Sequence, residues 1–280
     1  MNNKVFIIAE IGINHNGSLE NAKKLIDVAE IAGCDSVKFQ KRNPDVCVPE
    51  HQKKKARTTP WGEMTYIDYK KRVEFGKEEY DEIEKYCKQK SVDWTVSVWD
   101  KDSLEFSLQY DLPFLKIPSA LITDLDLVRE TAKHSKQIIL SSGMSTTEEV
   151  DLAVRTSLEY SNNVVLMHCN SSYPCPLGEL NLRCITTLKN KYEKLGVKIG
   201  YSGHEMFLHT SLAAISLGAG YVERHITLDR NMWGTDQSCS LEPQGLFRLV
   251  RATRQLEEAF GDGVIRVTES EIPVRNKLRG

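Results

Sequence analysis

No CxxC pair occurs among the seven cysteines of this 280-residue chain, and the count is odd. Both facts argue against a disulfide framework. No apolar run is long enough to cross a bilayer, and Met1-Asn2-Asn3-Lys4 leads straight into a strand pattern without a signal-peptide profile. A reduced, cytoplasmic protein is expected. Charge of one sign is also lacking: 37 Lys and Arg stand against 39 Asp and Glu, for a net −2. That balance gives neither a nucleic acid nor an anionic membrane a surface to bind. Small anions are not excluded, because local basic residues would bind them. No G-x-G-x-x-G follows any apolar run, which argues against a dinucleotide fold, and no repeat is visible beyond an architectural one.

What is present is a recurring unit. Val5 to Ala9 is a short, continuous apolar run, as in strands buried on both faces of a parallel sheet. Ser18 to Gly33 follows, with a serine N-cap, apolar residues at three-four spacing and a glycine stop. Further strands are expected at 36–40, 94–99, 113–119, 137–143, 163–169, 197–202 and 221–227. Helices are expected at 77–90, 102–110, 125–135, 181–192 and 207–218, with a final amphipathic one at 244–260. Another opens at Ser145, where Ser145 to Glu148 reads as a capping box. Lys41 to Lys71 is a long polar insertion, read as a lid or binding loop, and its lysine run at 53–55 as a solvated face. Eight strand–helix units select an α/β fold of the (β/α)8 TIM-barrel type, for which about 250 residues is typical. The barrel is assigned to residues 1–262 and a tail to 263–280.

The active site of such a barrel lies at the C-terminal ends of its strands. The polar residues there are Glu10, Asn14, Lys38, Gln40, Ser97, Lys116, Ser119, Ser141, Ser142, His168, Ser171, Tyr173, Ser202, His204, Glu223, Arg224 and His225, with Asp236 in the loop beyond. His204 and His225 each follow an apolar run, and one helix length separates the runs. Adjacent parallel strands would set their imidazoles side by side, a pair suited to a divalent metal. Hydrogen-bonded structural histidines are the alternative. Lys38 and Lys116, flanked by apolar residues, are costly to bury without an anion. With the serines they suit a phosphate or carboxylate ligand; pairing with Glu10 or Glu223 is the alternative. Glu10 is a candidate base or water-orienting group, or a structural partner of Lys38. Tyr173 either hydrogen-bonds substrate or packs. Cys169 and Cys239 lack the paired spacing of structural zinc ligands and read as packing residues.

Eight ordered motifs resemble the sialic acid synthases: A-E-I-G-I-N-H-N-G at 9–17, V-K-F-Q at 37–40, L-K-I-P-S at 115–119, L-S-S-G-M at 140–144, H-C-N-S-S-Y-P at 168–174, G-Y-S-G-H-E at 200–205, V-E-R-H-I-T-L-D at 222–229 and S-L-E-P at 240–243. The resemblance implies condensation of phosphoenolpyruvate with an N-acetylmannosamine-type aldose to a nine-carbon 2-keto acid and phosphate. It implies His204 and His225 as ligands of Mn2+ or Mg2+. Phosphoenolpyruvate would be held by Lys38, Ser97, Lys116, Ser119, Ser141, Ser171 and Ser202, and the sugar would meet Gln40, Tyr173 and Asp236. Glu10 would serve near the reacting carbons. It further implies a homodimer.

The chain departs from that pattern in places. Leu121 stands where enzymes acting on N-acetylmannosamine commonly carry an acidic residue. Ser97-Val98-Trp99 replaces the usual end of strand three, and Ser171 a usual asparagine. The sequence stops at Gly280, where family members usually continue into a small antifreeze-like domain that reaches across the dimer; a separate chain supplying that domain is one expectation. A metal-dependent hydrolase or aldolase leaves the lysines and serines without a task. A non-enzymatic sugar-binding or assembly protein leaves the histidines unexplained as well.

Overall fold

The apolar runs become a closed ring of eight parallel strands in the computed structural model, which describes residues 4–279. In chain order these are β1 (Phe6–Gly12), β2 (Ser36–Lys41), β5 (Asp93–Val98), β6 (Leu115–Ile117), β7 (Ile138–Ser141), β8 (Val164–Cys169), β9 (Lys198–Gly203) and β10 (Tyr221–His225). An antiparallel hairpin, β3 (Ala56–Thr59) with β4 (Gly62–Thr65), lies outside the ring. The last strand closes on the first, with Phe6 opposite Tyr221 and Glu10 opposite His225. Helices α1 (Leu19–Ala32), α5 (Lys77–Lys90), α6 (Lys101–Ser107), α7 (Leu125–His134), α8 (Thr147–Leu158), α9 (Cys184–Tyr192), α10 (His209–Ser216) and α11 (Pro243–Ala259) connect the strands or follow them. The TIM barrel expected from the sequence is the fold observed.

The two-residue period of the strands builds the site. Ile7, Ala9, Val37 and Phe39 join one large core with the helices, whereas Ile8, Phe114, Ile139, Val165 and Met167 form a separate interior cluster, with Phe6 and Tyr221 against it. Two residues further along each strand, the inward positions turn polar: Glu10 after Ile8, Lys116 after Phe114, Ser141 after Ile139. An apolar plug thus floors a polar mouth.

Several boundaries differ from expectation. Strand four ends at Ile117 because Pro118 has no N–H for the ladder. The helix expected from Ser145 is capped one residue later, where Thr146 accepts from the Glu149 amide in the capping box. The helix at 244–260 is not the last: α12 (Ile272–Arg279) follows in an exposed stretch. The insertion at 41–71 is folded rather than loop. Asn43 caps α2 (Pro44–Cys47), α3 (Glu50–Lys53) precedes the hairpin, and Thr65 caps α4 (Tyr66–Val73) by accepting from the Asp68 amide. Tyr69 and Val73 of α4 bury against Ile13, with Met64, Tyr66 and Trp233 packed around them, which seats the insertion on the loop after β10. Among the described residues no helix is long and apolar enough to cross a membrane.

Candidate active site

The polar inward layer closes around a cavity of about 170 Å³ at the mouth, lined by Glu10, Lys38, Gln40, Ser97, Lys116, Ser119, Ser141, Ser171, Tyr173, Ser202, His204, Glu223 and His225. Of the residues to which the resemblance assigns a role, only Asp236 is outside this lining, and its carboxylate lies 4.0 Å from His225 Nδ1; Asn14, Ser142, His168 and Arg224 of the strand-end inventory are outside it too. A larger neighbouring cavity of about 460 Å³ shares Met144, Cys169 and Ser171 with it and opens toward α8 and α9.

The two lysines have carboxylate partners. Lys38 Nζ donates to Ser97 Oγ over 2.6 Å and lies 2.7 Å from Glu10 Oε2. Lys116 Nζ donates to Glu223 Oε1 over 2.6 Å, and the Ser202 hydroxyl donates to the same oxygen over 3.1 Å. Glu223 Oε1 also sits 3.8 Å from Lys38, which links both pairs into one quartet. Burial would push the Glu223 carboxyl up, but Lys116 and Lys38 outweigh it and hold the group near 2. For Glu10 burial wins over Lys38, and its carboxyl lies above the ordinary range. The quartet realises the carboxylate-pairing alternative for both lysines. It still leaves donors: an ammonium has three N–H groups, and Lys116 directs one of them at Glu223.

Hydroxyls complete the wall. The Gly143 amide donates to Ser119 Oγ over 3.1 Å, and Ser141 Oγ is buried without a protein partner. A Cβ on Gly143 would stand 2.3 Å from Ser171 Oγ and 2.7 Å from Ser119 Oγ, so this position has room only for glycine. Gly12, at φ +55°, bends the chain past Glu10 in a conformation that favours glycine, and Gln40 Nε2 donates to Glu10 Oε1 over 3.1 Å.

His204 and His225 do lie side by side, with ring centroids 5.4 Å apart, and Tyr173 covers His204 at 4.1 Å. His204 Nδ1 is 2.6 Å from the Asn170 carbonyl. A carbonyl only accepts, so Nδ1 carries a proton and Nε2 is the nitrogen left for a ligand. His225 Nδ1 is buried with no hydrogen bond, and burial pulls its imidazole down to about 3, so the ring is neutral. His225 Nδ1, buried and without a partner, and His204 Nε2, on a ring oriented through Nδ1, fit a divalent ion as imidazole ligands. Among the described residues no three His, Cys, Asp or Glu side chains converge to hold an ion unaided.

Cys169 corrects one expectation, since it lines the mouth with its sulfur 3.8 Å from His204 Nδ1 instead of serving only as packing. Burial opposes ionisation of both groups, but their mutual attraction prevails: the Cys169 thiol falls below its ordinary range and the His204 imidazole rises above its own. An ion at His204 would therefore displace a proton on binding. Cys239, whose thiol donates to the Asp236 carbonyl over 3.2 Å, is the packing residue expected. Other strand-end residues have structural tasks. His168 Nε2 bonds the Leu180 carbonyl, and the Asn14 amide donates to Ile226 and Ser240. Arg224 points away from the barrel axis into a buried pair with Glu205. Trp99 and Ala120 also line the mouth without having been picked out as site residues; neither has an ionisable group to signal it.

The chain matches the NeuB family over residues 25–265. It is 37% identical over 274 residues to an N,N'-diacetyllegionaminic acid synthase of Campylobacter jejuni, covering 96% of this chain and 81% of that protein. It is 41% identical over 251 residues to an N-acetylneuraminate-9-phosphate synthase of Drosophila melanogaster, covering 89% of this chain and 67% of that one. A crystal structure of N-acetylneuraminic acid synthetase from Leptospira borgpetersenii, in complex with citrate, superposes with a TM-score of 0.87 at 34% identity, over 99% of this chain and 93% of that one. The chain belongs to the NeuB family.

Proposed function

We propose that this NeuB-family barrel condenses phosphoenolpyruvate with an aldose of the N-acetylmannosamine type, giving a nine-carbon 2-keto acid and phosphate. The single observation that carries the proposal is the mouth itself: two lysines, a ring of serines and two adjacent histidines around one cavity. The curated relatives make sialic-type acids, and this inventory suits the same chemistry.

In this reading Lys116 and Lys38, with Ser97, Ser119, Ser141, Ser171 and Ser202, hold the phosphate and carboxylate of phosphoenolpyruvate. Their donors are fixed by the quartet before substrate arrives, so little reorganisation is needed as charge develops. Gln40, Tyr173 and Asp236 orient the open-chain sugar. The methylene carbon of phosphoenolpyruvate bonds to the aldehyde carbon, and the aldehyde oxygen takes up a proton. Water adds to the second carbon, losing a proton to Glu10, whose raised carboxyl is suited to that exchange. The carbon–oxygen bond to phosphate then breaks as the new hydroxyl on that carbon gives up its proton and becomes the keto oxygen, and phosphate leaves with the bonding pair and takes up that proton. A manganese or magnesium ion would be held by His204 and His225 and would supply Lewis-acid polarisation of the aldehyde oxygen.

The same proposal takes residues 1–262 as the catalytic barrel and 263–280 as a connecting tail, with a homodimer in the cytoplasm. Incubation with phosphoenolpyruvate, Mn2+ and a panel of aldoses, following phosphate release together with keto-acid formation, tests it. Coupled release with one acceptor is the expected result; no turnover with any acceptor, despite bound metal, sinks it.

A further inference from the structure

The ladder between β9 and β10 ends with Arg224 opposite Gly203, one residue short of both site histidines. His225 stays fixed on its other side, in register with Glu10 of β1. His204 lies past the end of β9, so strand pairing does not set it beside His225. A buried ion pair between the residues adjoining the two histidines spans that gap. Arg224 Nη1 lies 2.9 Å from Glu205 Oε1, and the two side chains are 1% and 0% exposed. The same guanidinium donates to the Phe207 carbonyl and to Ser211 Oγ over 2.9 Å each, and to the Glu205 carbonyl. Glu205 is held in turn, because the Tyr201 hydroxyl donates to Oε2 over 2.8 Å and the Thr210 hydroxyl donates to Oε1. Gly203 makes room for the arrangement. A Cβ there would stand 2.6 Å from Glu205 Oε2 and 2.7 Å from Tyr201 Cε1, so the carboxylate fills the space a side chain at 203 would take. Desolvation offsets much of the attraction in a buried ion pair, which makes it a poor source of stability; fixing register is its best-attested use.

We propose that Glu205 and Arg224 are positioning residues for the metal site: their ion pair holds the chain after β9 in the one register against β10 at which His204 and His225 can share a divalent ion. This rests on the reading of the two histidines as metal ligands. Neither Glu205 nor Arg224 lines the mouth, and each acts through the histidine next to it in the chain. The tasks divide between two sides of His204. On the side of the loop after β8, the Asn170 carbonyl accepts from its ring, and the Cys175 amide donates to its carbonyl over 3.0 Å, which sets how the imidazole is turned. On the side of β10, the ion pair sets how far that imidazole stands from His225, with ring centroids 5.4 Å apart. Ligands locked by a supporting shell need no rearrangement to bind an ion, and loosening that shell is read directly as lost affinity.

The test is calorimetric titration of the full chain with Mn2+, for wild type, Glu205→Gln, Tyr201→Phe and Leu249→Ala, with phosphoenolpyruvate binding measured on the same samples and circular dichroism as the check of folding. Glu205→Gln removes the charge and keeps the shape, and Tyr201→Phe removes one hydrogen bond to the carboxylate and keeps the pair. Leu249→Ala loosens the core under α11 without touching the pair. Mn2+ affinity is expected to fall about tenfold or more in Glu205→Gln and by a smaller factor in Tyr201→Phe, with phosphoenolpyruvate binding, and Mn2+ binding by Leu249→Ala, within about twofold of wild type. The visible absorption of the Co2+-loaded protein should shift in Glu205→Gln and stay in place in Leu249→Ala. Unchanged Mn2+ affinity in the folded variants overturns the positioning role. An equal loss in Leu249→Ala also overturns it, since general loosening would then suffice. If Glu205→Gln does not fold, Tyr201→Phe decides: weakened Mn2+ binding upholds the role and wild-type binding overturns it. A wild-type chain that binds no Mn2+ refutes the ligand reading itself, and the positioning role with it.

Discussion

Lys116 on β6 donates to Glu223 on β10 over 2.6 Å through the interior of the barrel, and both side chains are 4% exposed. The pair ties opposite walls of the mouth together. Removing the lysine leaves a buried carboxylate whose next ammonium, Lys38, is 3.8 Å away. Lys116→Ala is expected to cost about 3–5 kcal/mol. Lys116→Met combined with Glu223→Gln should cost less than the sum of the two single changes, because no unpaired charge remains. Urea unfolding of the four proteins checks this; additive losses would show that the pair is not coupled.

Replacing His204 or His225 with alanine should remove metal-dependent turnover while leaving the circular dichroism spectrum unchanged. Mn2+ affinity, measured by calorimetry, should fall by about tenfold or more with either change. Unaltered Mn2+ binding in both variants would refute the ligand assignment.

His15 provides a pH dependence. It is buried against Phe75 with ring centroids 4.0 Å apart, and it accepts a hydrogen bond from the Gly17 amide on Nδ1. Burial and Arg42 pull its imidazole down to about 3 from an ordinary 6.5. The unfolded chain therefore binds this proton below pH 6.5 while the folded chain does not, so the contribution is complete above 6.5 and is lost as pH falls toward 3. Between pH 6.5 and 5 the loss amounts to about 2 kcal/mol. Thermal melts should show a lower Tm at pH 5 than at pH 7, with a shallower dependence in His15→Gln; identical slopes would contradict it.

Gly143→Ala should damage the site more than the fold. Its added methyl meets Ser171 Oγ and Ser119 Oγ, two of the hydroxyls proposed to hold phosphoenolpyruvate. We expect kcat/KM for phosphoenolpyruvate to fall by about tenfold or more, with partial recovery when Ser171→Gly is added to clear space. A single variant with wild-type kinetics would remove these hydroxyls from the binding wall.

Much of the site was legible because strand periodicity is short. Once β1, β2, β6, β9 and β10 are recognised as parallel strands of one barrel, Glu10, Lys38, Lys116, Ser202 and Glu223 must face inward at one end. The 41–71 insertion was not legible in the same way. Its elements run four to eight residues, too short for a periodic signal, and only Asn43 and Thr65 announce the helices they cap. Cys169 was misread because its spacing has no metal pattern, whereas its contact with His204 depends on two strands adjacent only in space.

The sequence by itself determined the barrel, the end at which chemistry gathers and nearly the whole list of residues there, because apolar patterning and two-residue alternation act locally. Only tertiary structure decided how those residues share charge. Whether Lys38 and Lys116 are free or paired depends on closure of the ring, which brings Glu10 and Glu223 within reach. Whether Arg42 and Lys70 come near Asp236 depends on how the insertion packs against the loop after β10. Coulomb interactions and desolvation are set by distances across the fold, and strand patterns do not encode those distances.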